Sequence, residues 1–167
     1  MEGQERKTTR GTRIVVGCGV ALFILVAVCG TSGYFLVRWL MIEPEGIRIQ
    51  VESPDSVTLG QEFTILLTVH NEAEREQLLH SIDLYDVYLD GIAIQGTKPE
   101  FTTSHHTPIF DIQTYEFQEN IPAGDSIEVR FVAKAVKTGD FRADIDVCIN
   151  SAFHFLSRPI RTRVVPE

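Results

Sequence analysis

The residues best suited to chemistry are few. His105 and His106 are adjacent. Neighbouring side chains on an extended chain point to opposite faces, so a single metal ion is awkward for both. No further ligand stands at a zinc-like spacing, and a surface loop is the expected setting. Asp144 and Asp146 share one face of an alternating run and are the oxygen donors that hard cations accept. No Asp-x-Asp-x-Asp-Gly loop surrounds them, so a solvated outer face is expected. Cys148 falls on the same polar face, where a covered, unreactive thiol is the common case. The sequence holds no Cys-x-x-Cys, no His-Glu-x-x-His, no Gly-x-Ser-x-Gly and no phosphate loop. The expectation is no catalytic residue, no cofactor and no metal.

Binding is better represented. Phe153, His154, Phe155 and Leu156 lie in the connection Ser151–Ser157. Large apolar residues in a connection either tuck over the core or meet a partner. Glu72, Glu74 and Glu76 form an acidic loop earlier in the chain. These seven residues are the candidate partner-binding set.

The elements that must position them read as strands. Ile47, Ile49 and Val51 alternate with polar residues, and a turn follows at Ser53–Ser56. Phe63, Ile65, Leu67 and Val69 lie on one face of the next strand. A third strand is expected over Leu78–Leu89, with Asp90-Gly91 turning it as a hairpin into Ile92–Ile94. Gln95–Pro108 reads as a long connection, and Ile109–Phe117 as extended. Ile127, Val129, Phe131, Ala133 and Ala135 mark a further strand; Phe141, Ala143, Ile145, Val147 and Ile149 mark another; Pro159–Val165 is the last. Seven to eight such strands indicate an all-β, immunoglobulin-like two-sheet sandwich over residues 47–167. Its core should include Phe63, Ile65, Leu67, Val129, Phe131, Ile145, Val147 and Ile149.

The run Gly60-Gln61-Glu62-Phe63-Thr64-Ile65-Leu66-Leu67-Thr68-Val69-His70-Asn71 resembles the second strand of bacterial immunoglobulin-like domains of the CARDB type. Ile121-Pro122-Ala123-Gly124-Asp125-Ser126-Ile127-Glu128-Val129 resembles a later turn and strand of such domains. Thr138-Gly139-Asp140-Phe141 resembles the corner that follows, with Phe141 where tyrosine is more usual. The resemblance implies an extracytoplasmic binding or spacing module and brings no catalytic residues.

Residues 14–37 carry no charge and lie between Arg13 and Arg38. As a helix they would reach roughly 36 Å, enough for a hydrocarbon core of about 30 Å. Tyr34 and Trp39 suit the interface. A cleaved signal peptide would have a shorter apolar region, so an uncleaved signal anchor is expected. The tail of residues 1–13 holds Arg6, Lys7, Arg10 and Arg13 against Glu2 and Glu5, which keeps it cytoplasmic. Residues 38–46 are a linker. The expected location is the plasma membrane, single-pass, with the domain extracytoplasmic.

Charge narrows the partners. Residues 38–167 hold 11 basic and 21 acidic residues, which argues against nucleic acid. Only Cys148 of the three cysteines falls in the domain, so no disulfide can form within it. The function expected is a membrane-anchored extracytoplasmic interaction module without catalysis. The expected partner is another envelope or membrane protein, and no small-molecule ligand can be named from the residues. The alternatives are an accessory or sensor subunit of a larger membrane complex and a tethered enzyme with an unrecognised site. Protease added to cells with an opened outer envelope should digest residues 47–167 and spare the tail. A mature protein beginning near Gly30 would refute the anchor.

Overall fold

Phe63, Ile65, Leu67 and Val69 occupy every second position of one strand, and all four side chains are buried. Opposite them in antiparallel register stand Ala133, Phe131, Val129 and Ile127. The computed structural model describes residues 26–35 and 44–167. The expected tail, most of the expected span and most of the linker lie outside the described residues. Residues 26–35 are helical with exposed side chains. Among the described residues no helix is long and apolar enough to cross a membrane.

The domain is an all-β sandwich of two sheets. Its strands are β1 (Ile47–Glu52), β2 (Ser56–Thr58), β3 (Glu62–Asn71), β4 (Gln77–Tyr85), β5 (Ile92–Lys98), β6 (Thr103–Thr107), β7 (Ile112–Ile121), β8 (Ser126–Ala135), β9 (Gly139–Ile149) and β10 (Phe155–Val165). One sheet has the order β1-β3-β8-β5, and the other β2-β10-β9-β4-β7-β6. All eight residues expected in the core are buried. Phe131 stands at its centre, edge-on to Tyr115 and Phe117 with ring centroids 5.4 and 6.3 Å away.

The ten strands exceed the seven to eight expected, for two reasons. The first strand breaks at Ser53-Pro54-Asp55 and changes sheets, so β1 pairs with β3 while β2 runs parallel to β10. The segment read as a connection, Gln95–Pro108, contains the end of β5 and all of β6. The Asp90-Gly91 hairpin does not form. β4 stops at Tyr85, a four-residue helix Asp86–Leu89 follows, and β5 joins β8 in the other sheet. Tyr88 of that helix is fully buried and its hydroxyl lies 2.9 Å from Thr162 Oγ1, so the helix closes that end of the core. Gly91 serves close approach instead of a turn: a Cβ there would lie 2.0 Å from Phe141 Cζ.

A bulge sets the faces of β4. The register shifts between Leu79 and Ser81, so Leu79, Ile82 and Leu84 are buried in the core while Ser81, Asp83 and Tyr85 fall on the outer face. The strands put Ile47, Asn71, Gln77, Ile121, Ser126 and Ile149 at one pole of the sandwich. Val165 and the helix Asp86–Leu89 lie at the opposite pole. Phe131→Ala should cost about 3–5 kcal/mol by opening a cavity at the centre of a core without a disulfide. Denaturant unfolding of the full chain in detergent measures it; an unchanged midpoint would contradict the packing described.

Candidate functional site

Chain leaving a sheet exposes backbone groups that need new partners. At the Ile47 pole two asparagines provide them. Asn71 Nδ2 donates to the carbonyls of Arg75, Ile121 and Pro122 at 2.8, 2.9 and 3.0 Å, and its Oδ1 accepts from Ala73 N at 3.1 Å. This fixes the acidic loop against the β7–β8 turn. Glu72 N donates to Gly46 O at 2.6 Å, and its carboxylate pairs with Arg48. Gly46 has φ +71 and packs so closely that an added Cβ would lie 2.9 Å from Ala73 N. Asn150, itself left-handed at φ 62, joins the second loop to the first. Its Oδ1 accepts from Leu78 N at 2.9 Å, its N donates to Leu78 O at 2.8 Å, and its Nδ2 donates to Gln77 Oε1.

The acidic and aromatic loops therefore meet at the pole where Ile47 begins. Glu72, Glu74 and Glu76 are exposed. Phe153 is 65% exposed and Phe155 43%, while His154 is half-buried and its carbonyl accepts from Ile149 N at 2.8 Å. Leu156 does not belong with them. It pairs with Val147 in register and is buried in the core, whereas Phe155 pairs with Cys148 on the outer face. Strand parity sends adjacent residues to opposite sides.

A second cluster crosses the outer face of the six-stranded sheet. Register aligns Ser157, Asp146, Asp83, Thr114 and His105 across β10, β9, β4, β7 and β6. Asp146 is only 7% exposed, contrary to the solvated face expected. Its Oδ2 accepts from Tyr85 Oη at 2.9 Å and its Oδ1 from Ser157 Oγ. Asp83 Oδ2 lies 3.8 Å from the thiol of buried Cys148, and Asp83 Oδ1 is buried with no hydrogen-bond partner among the described residues. Burial is the main cause that holds the Asp83 carboxyl above the usual carboxylate range; the Thr114 side chain offsets part of this and the Asp146 charge adds to it. Burial, then the charge of Asp83, pushes the Cys148 thiol up to about 12, and burial with the Asp146 hydrogen bond pushes Tyr85 up to about 12. Both therefore remain hydrogen donors.

His105 and His106 lie on the edge strand β6 and not in a loop. His105 Nδ1 is 3.7 Å from Glu116, and His106 Nε2 is 2.8 Å from Asp86. Among the described residues no group of three or more His, Cys, Asp or Glu could hold a metal ion. Sequence reasoning missed one exposed apolar feature: Ile109 and Phe110, at the tip between β6 and β7, are 86% and 66% exposed. The missing signal was β6, whose polar Thr-Ser-His-His-Thr gives no apolar alternation.

No family model and no curated protein matches this sequence. Solved structures similar to it include the cupredoxin domain of amoB from Nitrosocaldus yellowstonii, at 9% identity over 73% of this chain and 88% of that one, with TM-score 0.48. AvmM, which catalyses macrocyclization in alchivemycin A biosynthesis, is 8% identical over 72% of this chain and 89% of its own, with TM-score 0.48. The CARDB domain of PF1109 from Pyrococcus furiosus is 11% identical over 74% of this chain and 98% of its own, with TM-score 0.45.

The raised Asp83 value makes stability depend on pH with a defined sign. The folded chain binds this proton more tightly than the unfolded chain does. That contribution is complete below the unfolded value of about 4 and is lost as pH rises through the folded value. Asp83→Asn removes the dependence. Thermal unfolding of the full chain should show Asp83→Asn gaining on the wild type as pH rises from about 4 to about 8; a constant difference would contradict the assignment.

Proposed function

We propose that this chain is a non-catalytic binding module, anchored in a membrane by residues 14–37 and holding its sandwich on the extracytoplasmic side. The observation that carries the reading is the placement of Phe153 and Phe155. Both side chains are exposed, Phe153 on a loop fastened by Asn150 to the start of β4 and Phe155 at the first position of β10, at the pole where β1 begins. Large aromatics in a held loop contribute apolar contact area at little further ordering cost, which is how binding surfaces concentrate affinity.

The linker, residues 38–46, reaches at most roughly 30 Å when fully extended. A surface at the Ile47 pole is thus within reach of another membrane protein beside the anchor. Glu72, Glu74 and Glu76 flank the aromatics and would be repelled by anionic lipid, which favours a protein partner over the bilayer. An accessory role in a larger membrane complex is the same geometry with a permanent partner.

The enzyme reading has less support. A catalytic cleft brings perturbed groups together in one pocket. Here Asp83, Tyr85 and Cys148 lie on the outer sheet face, Tyr88 and Tyr115 are buried in the core, and Asp140 is shifted by its ion pairs with Arg161 and Arg142. Two concavities among the described residues, of about 480 and 560 Å³, are lined elsewhere, by residues that include Leu66 and Arg130 in one and Val87 and Leu89 in the other.

The test is Phe153→Ser with Phe155→Ser in the full chain. Affinity capture from native membranes should lose the partners that the wild type retains, while the melting temperature stays within a degree or two. Retained partners, or a double variant that unfolds, would overturn the reading.

A further inference from the structure

The loop that carries Phe153 and a facing pair of carboxylates share the Cys148 thiol as a neighbour. The thiol lies 3.8 Å from Ala152 O in the loop and 3.8 Å from Asp83 Oδ2. Where the chain has re-entered the sheet as β10, Ser157 Oγ donates to Asp146 Oδ1. Asp83 and Asp146 are direct cross-strand partners in the β4–β9 register.

We propose that Asp83 and Asp146 form a proton-operated latch, which holds the loop of residues 150–154 when Asp83 is protonated and loosens it when Asp83 is ionised. The inference rests on the binding reading above, since it describes regulation of that same aromatic loop.

The latch works through one hydrogen and two competing acceptors. A thiol carries a single hydrogen. Here two oxygens stand within its reach. A protonated Asp83 has less demand for that hydrogen, so the thiol donates to Ala152 O and ties down the residue before Phe153. An ionised Asp83 is the stronger acceptor, because charged acceptors form the stronger hydrogen bonds. The thiol then turns to Asp83, and Ala152 O loses its donor. Ionisation also sets two carboxylates face to face across adjacent strands, which is destabilising at short range. Both oxygens of Asp146 already accept hydroxyl hydrogen bonds, so the proton of the pair resides on Asp83.

The charged and titratable neighbours on this face pull in both directions. From β9 come Asp146, Cys148 and the exposed Asp144; from β4 itself, Tyr85; from β7, Glu116; from β6, His105. β10 contributes the neutral Ser157. Asp146 favours protonation of Asp83, and His105, when charged, opposes it. His105 is exposed and sits against Glu116, which tempers its effect. Desolvation remains the leading influence, and the loosening falls above the ordinary carboxylate value of about 4.

The test uses the full chain in detergent micelles. Carboxyl NMR on aspartate-labelled wild type should place Asp83 above the usual range. Hydrogen exchange, corrected for intrinsic rates, should show protection in residues 150–154 falling about tenfold as Asp83 ionises, the ratio that one unit of coupling produces. Cys148→Ala should leave Asp83 titrating above the usual range but abolish the change in the loop. Asp83→Asn should give protection that does not vary with pH. If that variant does not fold, the wild-type titration and Cys148→Ala still decide the matter. An ordinary Asp83 titration, or wild-type loop protection that is flat through it, overturns the latch. Partner capture by the wild type and by the double Phe variant is scored separately. Loss of partners with a flat loop rejects the latch alone, whereas a responsive loop in a chain whose partners ignore the Phe changes rejects the binding reading alone.

Discussion

Backbone groups that leave a sheet must be satisfied somewhere, and at the Ile47 pole Asn71 meets four of them with one side chain. Its amide has two hydrogens for three carbonyls, so one hydrogen is shared. Asn71 is 1% exposed, and no water can replace what it supplies. A buried group left unpaired costs about 1–3 kcal/mol, so the arrangement of the acidic loop and the β7–β8 turn depends on this residue. Asn150 repeats the device for the aromatic loop. The binding surface proposed above is thus a product of two amides, and the glutamates and phenylalanines are carried on what those amides hold.

The outer face of the six-stranded sheet shows a different economy. Polar residues on a sheet's outer face are usually wet. Here Asp146, Cys148, Ser81 and Thr114 are all buried. The cost of covering two facing aspartates is partly met by hydroxyl donors from Tyr85 and Ser157. The oxygen left unmatched, Asp83 Oδ1, is where the protein's stability becomes sensitive to protons. The same bulge between Leu79 and Ser81 that keeps Leu79 and Ile82 in the core brings Asp83 opposite Asp146.

Much of the fold was legible from alternation, because a period of two states which side of a strand is apolar. Phe63, Ile65 and Leu67 in β3 and Ile145, Val147 and Ile149 in β9 needed no further information. Alternation does not say which sheet a strand joins, and Asp90-Gly91, a frequent hairpin pair, pointed the wrong way. The chain there crosses between sheets, and the glycine is required by the Phe141 ring. Leu156 was misread for want of a strand start, since Pro159 suggested a later one and β10 already begins at Phe155. The carboxylate row was not legible at all. Asp83 and Asp146 are distant in sequence, and only the register across β4 and β9 brings them together.

The split first strand has a mechanical consequence. β2 lies parallel to β10, with Ser56, Val57 and Thr58 opposite Arg163, Val164 and Val165. Arg163 N donates to Asp55 O and Leu59 N to Val165 O, which extends the contact at both ends. Let Ile47 be drawn one way and Val165 the other, as for a domain held at one pole and loaded at the opposite one. β2 is then dragged back towards Ile47 while β10 is dragged forward. Because the two strands are parallel, the hydrogen bonds between them carry the load side by side in shear and do not open one after another. Tension along this axis is carried in shear by the β1–β3 ladder and the short β2–β10 seam at the edges of the two sheets.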